Sequence, residues 1–99
     1  MDINLERKGE TLTLFLNGKL DTQTAPLLDE KLKEEMPGVK HLVFDLKGLD
    51  YVSSAGLRTF LSTHKQLAGM NGDMTVRNVN EDVSAIFDVT GFSDFLKIL

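Results

Sequence analysis

The 99-residue sequence contains no cysteine and only two prolines. The lack of cysteine excludes a disulfide framework, a thiolate nucleophile and a cysteine-based zinc site, and it fits the reducing cytoplasm. No apolar run approaches the roughly 20 residues that would cross a bilayer. The first residues also lack the basic start and long apolar core of a signal peptide. These absences predict a cytoplasmic protein that is not inserted directly into a membrane.

Positive charge is also scarce, because 11 lysines and arginines stand against 15 aspartates and glutamates, for a formal net charge of −4. Nucleic-acid-binding domains usually carry a basic patch or stripe. The densest basic segment holds Lys31 and Lys33, but Glu30 and Glu34 are interleaved with them. This pattern is typical of a solvated helix face, so the sequence predicts no nucleic-acid partner. Glycine-rich phosphate loops of the known types are also lacking, which leaves nucleotide binding without support.

The residues that are present indicate one globular α/β domain, residues 1–99. Hydrophobic residues make up 41% of the chain and charged residues 26%, both ordinary proportions for a globular protein. Strand-like and helix-like segments alternate after an initial hairpin, which predicts a small mixed β-sheet with helices packed against it. The third strand lacks strict alternation, so we expect it to be central and covered on both faces. The predicted strands are residues 3–6, 11–16, 39–46 and 74–79.

Three helices are predicted from apolar residues at helical spacing. They begin near Thr24, Ser54 and Asn80, residues of types that cap helix N-termini. Gly91 is well placed to end the third helix, and the apolar residues after it are expected to dock on the core. The predicted buried faces are Ala25, Leu28, Leu32 and Met36 in the first helix, Leu57, Phe60, Leu61, Leu67 and Ala68 in the second, and Val83, Ile86 and Phe87 in the third.

Two serines, Ser53 and Ser54, lie where the central strand ends and the second helix begins. A hydroxyl at this position, assigned here to Ser54, can cap the helix through its oxygen. A phosphate on the same oxygen would lie against the positive end of the helix dipole and its free N–H groups. A nucleophile would also suit a strand-to-helix turn. The spacing alone therefore leaves a cap, a regulatory phosphorylation site and a nucleophile open.

A nucleophilic serine in a hydrolase needs a Gly-x-Ser-x-Gly elbow and a histidine within reach. Val52 stands where that motif requires its first glycine. His64 lies ~15 Å along the very helix that Ser54 opens, and His41 begins the preceding strand. A catalytic triad is therefore not expected.

Three aspartates near this loop, Asp21, Asp45 and Asp50, are the candidates for a magnesium site. Asp45 is expected to point off the end of a strand and Asp50 to lie in a turn, which does not bring them together. The two histidines have no partners at ligand spacing either. The sequence therefore predicts no metal and no cofactor.

Four segments, in chain order, resemble those of STAS domains, and in particular of bacterial anti-sigma factor antagonists. The family's phosphorylation loop typically reads Asp-Ser-Ser/Ala/Thr-Gly-Leu. Alignment on Gly56 and Leu57 places the phosphoacceptor at Ser54 and puts Ser53 where the family has aspartate. The resemblance implies a small mixed sheet with helices packed against it, as the periodicity also predicts. The four segments are residues 16–21 (LNGKLD), 42–46 (LVFDL), 52–58 (VSSAGLR) and 88–92 (DVTGF).

The resemblance implies a binding protein rather than an enzyme. It implies that the unmodified protein binds an anti-sigma factor serine kinase, that this kinase binds ATP and phosphorylates Ser54, and that a phosphatase resets the serine. Asp21 matches the aspartate of the family's Gly-x-Leu-Asp turn, beside the surface that carries the phosphorylated serine. Gly56 is interpreted as allowing the kinase backbone to approach Ser54. The expected partner-binding residues are Asp21, Thr22, Ser53, Ser54, Gly56, Leu57 and Arg58.

A second function stays open at this point. Single-domain relatives of this family occur in phospholipid-transport ABC complexes, where they bind an ATPase. The serine at position 53, in place of the family's aspartate, favours this alternative.

Overall fold

The computed structural model describes residues 1–99, in which five strands form one sheet in the order β1-β2-β3-β4-β5. The first two strands are antiparallel and every other neighbouring pair is parallel. This confirms the predicted mixed sheet, with the third strand in its centre. The strands are β1 (Asp2–Lys8), β2 (Thr11–Leu20), β3 (His41–Val52), β4 (Asp73–Arg77) and β5 (Lys97–Ile98).

Three α-helices connect the parallel strands, and a short 3-10 helix (Phe92–Asp94) precedes β5. Asn80 caps the third helix, since its side-chain oxygen accepts the N–H of Val83 at 2.8 Å. Gly91 has a φ of 81°, the left-handed conformation that glycine adopts readily after a helix. Both sequence predictions are confirmed. The helices are α1 (Ala25–Glu35), α2 (Ser54–Gly69) and α3 (Glu81–Val89).

The middle strands extend further than predicted. β2 continues past Gly18 to Leu20, and β3 continues past Gly48 to Val52. The polar and glycine residues that marked the predicted ends are accommodated by register shifts between the two strands. Irregular pairing of this kind bends a strand without ending it. As a result β3 runs directly to the serine loop.

The helices cover one face of the sheet. Phe44 of β3 packs edge-on against Phe60 of α2 at 4.9 Å between ring centroids, and Phe60 packs against Phe87 of α3 at 6.1 Å. On the opposite face Val43 is only half-buried. The prediction that β3 is covered on both faces is therefore wrong. The strand lacks strict alternation because Val43 places an apolar side chain on the face that no helix covers.

Asp45 lies inside β3 with 7% of its surface exposed, not at a strand end as expected. Its Oδ2 accepts from Arg77 Nε and from Asn78 Nδ2, both at 3.0 Å, and Oδ1 accepts the Lys47 N–H at 3.0 Å. Burial by itself raises the pKa of Asp45, but these three hydrogen bonds and the Arg77 charge together hold the pKa below its ordinary value of 3.8. Asp50 also lies within β3 rather than in a turn.

Acid should therefore destabilise the fold through Asp45. Because the folded-state pKa of Asp45 is lowered, its stabilisation is present above the ordinary pKa of 3.8 and is lost as the pH falls through the lower folded value. Urea unfolding between pH 6 and pH 2 should show a loss of stability beginning below about pH 4. Asp45→Asn should lessen that loss. Asp50→Asn, which removes an exposed carboxylate from the same strand, should leave it unchanged, and an equal effect of both variants would contradict the assignment.

The buried face of α2 differs from the predicted one. Leu57, Phe60 and Leu67 are buried as expected, but Leu61 is only half-buried and Ala68 is exposed. Two threonines are buried in their place. Their hydroxyls are satisfied, because Thr63 donates to the Thr59 carbonyl at 2.7 Å and Thr59 donates to Asp29 Oδ1 of α1 at 2.8 Å.

Candidate functional site

The ends of β2 and β3 bring two predicted segments together. The strands are parallel neighbours, so their carboxyl ends meet at the same edge of the sheet. Leu20 is paired with Val52, and the N–H of Ser53 donates to the Leu20 carbonyl at 2.8 Å. The loop that follows Leu20 therefore lies beside the serines. We call residues 21–24 together with residues 53–58 the serine edge.

Ser53, and not Ser54, is the N-cap of α2. Ser53 has extended backbone angles and its hydroxyl oxygen accepts the N–H of Gly56 at 3.4 Å. The expectation that Ser54 caps the helix is wrong, because β3 runs to Val52 and leaves Ser53 as the flanking residue. Ser54 is the first residue of α2, is exposed, and has a hydroxyl with no hydrogen-bond partner in the protein. Its oxygen is therefore free to react or to be contacted.

Asp21 orders the loop beside the serines. Its Oδ1 accepts the N–H groups of Thr24 and Gln23 at 3.1 and 3.0 Å. The hydrogen bond from the Thr24 N–H is the main cause of a lowered pKa for Asp21. Thr24 flanks α1, but its hydroxyl accepts the Asp21 N–H at 2.8 Å instead of capping the helix as predicted. Asp21 is half-buried while Thr22 and Gln23 are exposed, so this loop presents Thr22 and Gln23 to solvent.

Gly56 lies under the serine edge rather than on it. A Cβ at this position would lie 2.7 Å from Leu20 Cγ and 2.8 Å from Val52 Cγ2. Leu57 is likewise only 8% exposed. The interpretation that Gly56 leaves room for a kinase backbone is wrong, because the core side chain of Leu20 takes that space. Gly56 lets the start of α2 sit close to the end of β2.

Arg58 is the exposed cation of the serine edge. Arg58 has no hydrogen bond or ion pair within the protein. In contrast, Arg7 donates to the carbonyls of Glu35 and Pro37, and Arg77 binds Asp45. Arg58 lines a cavity of about 270 Å³ between α1 and α2. The cavity also includes Thr22, Pro26, Asp29 and Ser62 in its wall.

Two residues near this edge were not singled out from the sequence. Tyr51, at the end of β3, is 45% exposed although it is aromatic. An aromatic side chain two residues before the serines was the available signal. The other residue is Asp29. It lines the cavity between α1 and α2, and its carboxylate accepts a hydrogen bond from the Thr59 hydroxyl. No local pattern indicated it, because Thr59 is 30 residues away in the sequence.

The histidines lie away from the serines, and no side chains are grouped as metal ligands. His41 pairs with Asp73 at 2.8 Å, at the other end of β3 from the serines. His64 lies in the middle of α2 with its ring 5.1 Å from that of Phe95. No group of three or more histidine, aspartate or glutamate side chains is arranged to hold a metal ion. None of the helices is both long and apolar enough to cross a membrane.

The capping assignment predicts different stabilities for two neighbouring alanine variants. Ser53→Ala should lower the free energy of unfolding by about 1 kcal/mol, because it removes the oxygen that accepts the Gly56 N–H. Ser54→Ala should change it by less than about 0.5 kcal/mol, since the exposed hydroxyl has no partner. Urea denaturation of both variants measures the difference. A larger loss for Ser54→Ala would contradict the assignment.

The chain matches a family model and named relatives over nearly its whole length. A family model described as "STAS domain" matches residues 2–99. The anti-sigma-B factor antagonist of Bacillus subtilis is 32% identical over 100 residues, which cover 99% of this chain and 92% of that protein. The anti-sigma-B factor antagonist of Listeria monocytogenes is 30% identical over 96 residues, covering 94% and 82%.

Solved structures show the same fold at lower identity. The unphosphorylated form of the anti-sigma factor antagonist SpoIIAA superimposes with a TM-score of 0.80 at 18% identity, covering 99% of this chain and 87% of that one. An anti-sigma factor antagonist from Mycobacterium paratuberculosis gives a TM-score of 0.88 at 20% identity, covering 98% and 83%. The order of elements, the serine edge and the match over residues 2–99 agree: the chain belongs to the STAS domain family.

Proposed function

We propose that this protein is an anti-sigma factor antagonist that is switched off by phosphorylation of Ser54. The observation that carries the proposal is the free, exposed Ser54 hydroxyl at the start of α2, at the edge where two loops meet. Relatives that match nearly the whole chain bear the name anti-sigma-B factor antagonist. The partner is therefore an anti-sigma factor, and binding it releases the sigma factor. The protein acts in the cytoplasm and catalyses no reaction itself.

The switch is a change of charge on a docking surface. The partner is a serine kinase that binds ATP, and transfer of the γ-phosphoryl group forms a bond to Ser54 Oγ while ADP leaves and the hydroxyl proton passes to a base of the kinase. The new group carries a charge of about −1.5 to −2 at pH 7. The serine edge already holds the carboxylate of Asp21, and Asp29 lies across the cavity from Arg58. The added phosphate repels acidic groups of the partner and is costly to desolvate against an apolar surface, and a phosphatase restores binding.

The residues of the proposed contact surface divide by exposure. Thr22, Ser54 and Arg58 are exposed and would contact the partner directly, while Asp21 and Ser53 are partly buried and shape the edge. Gly56 and Leu57 are buried and allow α2 to pack closely on β2. Direct contacts with the partner are therefore assigned to Thr22, Ser54 and Arg58.

Serine at position 53 is compatible with this function. The family's aspartate and the serine found here are equally good N-cap residues. Ser53 does cap α2, so the start of the helix and the position of the Ser54 hydroxyl do not depend on a carboxylate. The substitution removes one negative charge beside the phosphoacceptor without removing the cap.

The experiment is to isolate the partner and map the modification. The tagged protein is used to capture its bound ATPase from the native cell, and the purified pair is incubated with ATP. We expect a serine kinase of the anti-sigma class, and mass spectrometry should place phosphate on Ser54. Ser54→Ala is the control and should bind without becoming phosphorylated. An ABC-transporter ATPase as partner, or phosphate only on Ser53, would overturn the proposal.

A further inference from the structure

Arg58 and Ser54 lie one helical turn apart on α2. Both side chains are exposed, and both lack a hydrogen-bond partner within the protein. The other two arginines are held by carbonyl groups or by Asp45, so Arg58 is the one arginine left unengaged. A free guanidinium beside a candidate phosphoserine is the observation from which the inference starts.

Helix geometry brings these two side chains together. Residues four apart on an α-helix have Cβ atoms about 5–6 Å from each other. Side chains in a helix lean toward its N-terminus, so Arg58 covers the surface over the preceding turn, where Ser54 lies. An acidic group placed four residues before a basic one is also the more favourable order for such a pair. The guanidinium can bind two phosphate oxygens in a planar, bidentate arrangement.

We propose that Arg58 is the internal binding site for a phosphate monoester carried on Ser54. The inference rests on the proposed function, since it assigns a role to the product of that modification. In the unmodified protein Arg58 is available to an acidic group of the partner. In the phosphorylated protein Arg58 binds the phosphate and is withdrawn from the partner. Phosphorylation thus adds negative charge and removes a positive contact from the same surface.

Other charged groups surround the serine edge. Lys19, at the end of β2, lowers the pKa of Asp21 by its charge and is the competing cation. Asp21 and Asp29 are the acidic groups that compete for Arg58. Neither makes an ion pair with Arg58 in the unmodified protein. A phosphate dianion one turn away exceeds either carboxylate in charge, so it should capture the guanidinium.

The test installs phosphoserine at position 54 of the full chain by genetic encoding, without any kinase. The second ionisation of the phosphate, with an ordinary pKa of about 6, is followed by phosphorus NMR during a pH titration. A bound guanidinium favours the dianion and lowers this pKa. Arg58→Gln should therefore raise it by about 0.2–0.4 unit relative to the unsubstituted chain. Arg58→Lys should restore part of the difference.

Two control variants make the result specific. Lys65→Gln removes another exposed cation of α2, farther from Ser54, and should leave the phosphate pKa unchanged. Lys19→Gln tests the competing cation. No shift in Arg58→Gln, or the full shift in Lys19→Gln instead, would overturn the proposal. Because the phosphate is installed directly, the NMR measurement does not depend on finding a kinase. A negative NMR result would contradict the role of Arg58 but not the proposed phosphorylation of Ser54.

Discussion

Replacing Phe60 with alanine should lower the free energy of unfolding by about 3–5 kcal/mol. Phe60 is fully buried, and its ring lies between those of Phe44 and Phe87. It therefore joins the central strand, α2 and α3 in one aromatic cluster. Truncation removes the buried ring and leaves a cavity whose walls belong to three elements, which limits how far the site can collapse.

Urea denaturation monitored by circular dichroism measures this loss, and thermal unfolding checks it. For a domain of this size each kcal/mol lowers Tm by roughly 4–8 °C, so a fall of at least about 12 °C is expected. Leu61→Ala is the matched control on the same helix. Leu61 is half-buried, and its truncation should cost about 1 kcal/mol. Equal losses for the two variants would mean that the buried face of α2 is assigned incorrectly.

The order of strands and helices could be predicted because it depends on local patterns. Apolar residues at a period of 3.6 identified α1 and α3 with most of their buried residues, and alternation identified β2. The cap at Asn80 and the left-handed glycine at position 91 are also local features. Each is set by residues within one or two turns in the sequence.

The errors concern residues whose partners are distant in the sequence. The predicted buried face of α2 leaves out Thr59, but Thr59 is buried and its hydroxyl donates a hydrogen bond to Asp29 of α1. Asp45 was placed at a strand end, but Arg77 and Asn78 stabilise it inside β3 from 32 and 33 residues away. A polar residue without a local partner gives no sign that tertiary structure will supply one.

The serine edge was predicted in part for the same reason. The chain order brought residues 53–58 to the start of a helix, but the cap was assigned to Ser54 instead of Ser53. That shift of one residue follows from the length of β3, which the register with β2 determines. The contact of Gly56 with Leu20 likewise joins the start of α2 to the end of β2 and has no local signature.

Ser54→Asp should weaken binding of the proposed partner, an anti-sigma factor, by about 10- to 100-fold. A carboxylate at this position places part of the phosphate's charge on the serine edge, and an unfavourable charge contact of about 1.4–2.8 kcal/mol gives that change in Kd. Ser54→Ala should bind like the unsubstituted protein, because it changes no charge and removes no hydrogen bond within the protein. Titration calorimetry with the purified partner measures all three dissociation constants.

Ser54→Asn separates the charge from the size of the new side chain, since asparagine has nearly the shape of aspartate without its charge. We expect Ser54→Asn to bind within a few-fold of the unsubstituted protein and Ser54→Asp to bind much more weakly. Folding should not account for the difference, because aspartate in the first turn of α2 interacts favourably with the helix dipole. If aspartate and asparagine weaken binding equally, the effect is steric and charge does not operate the switch. If neither does, Ser54 lies outside the contact surface, and the partner must dock elsewhere on the protein.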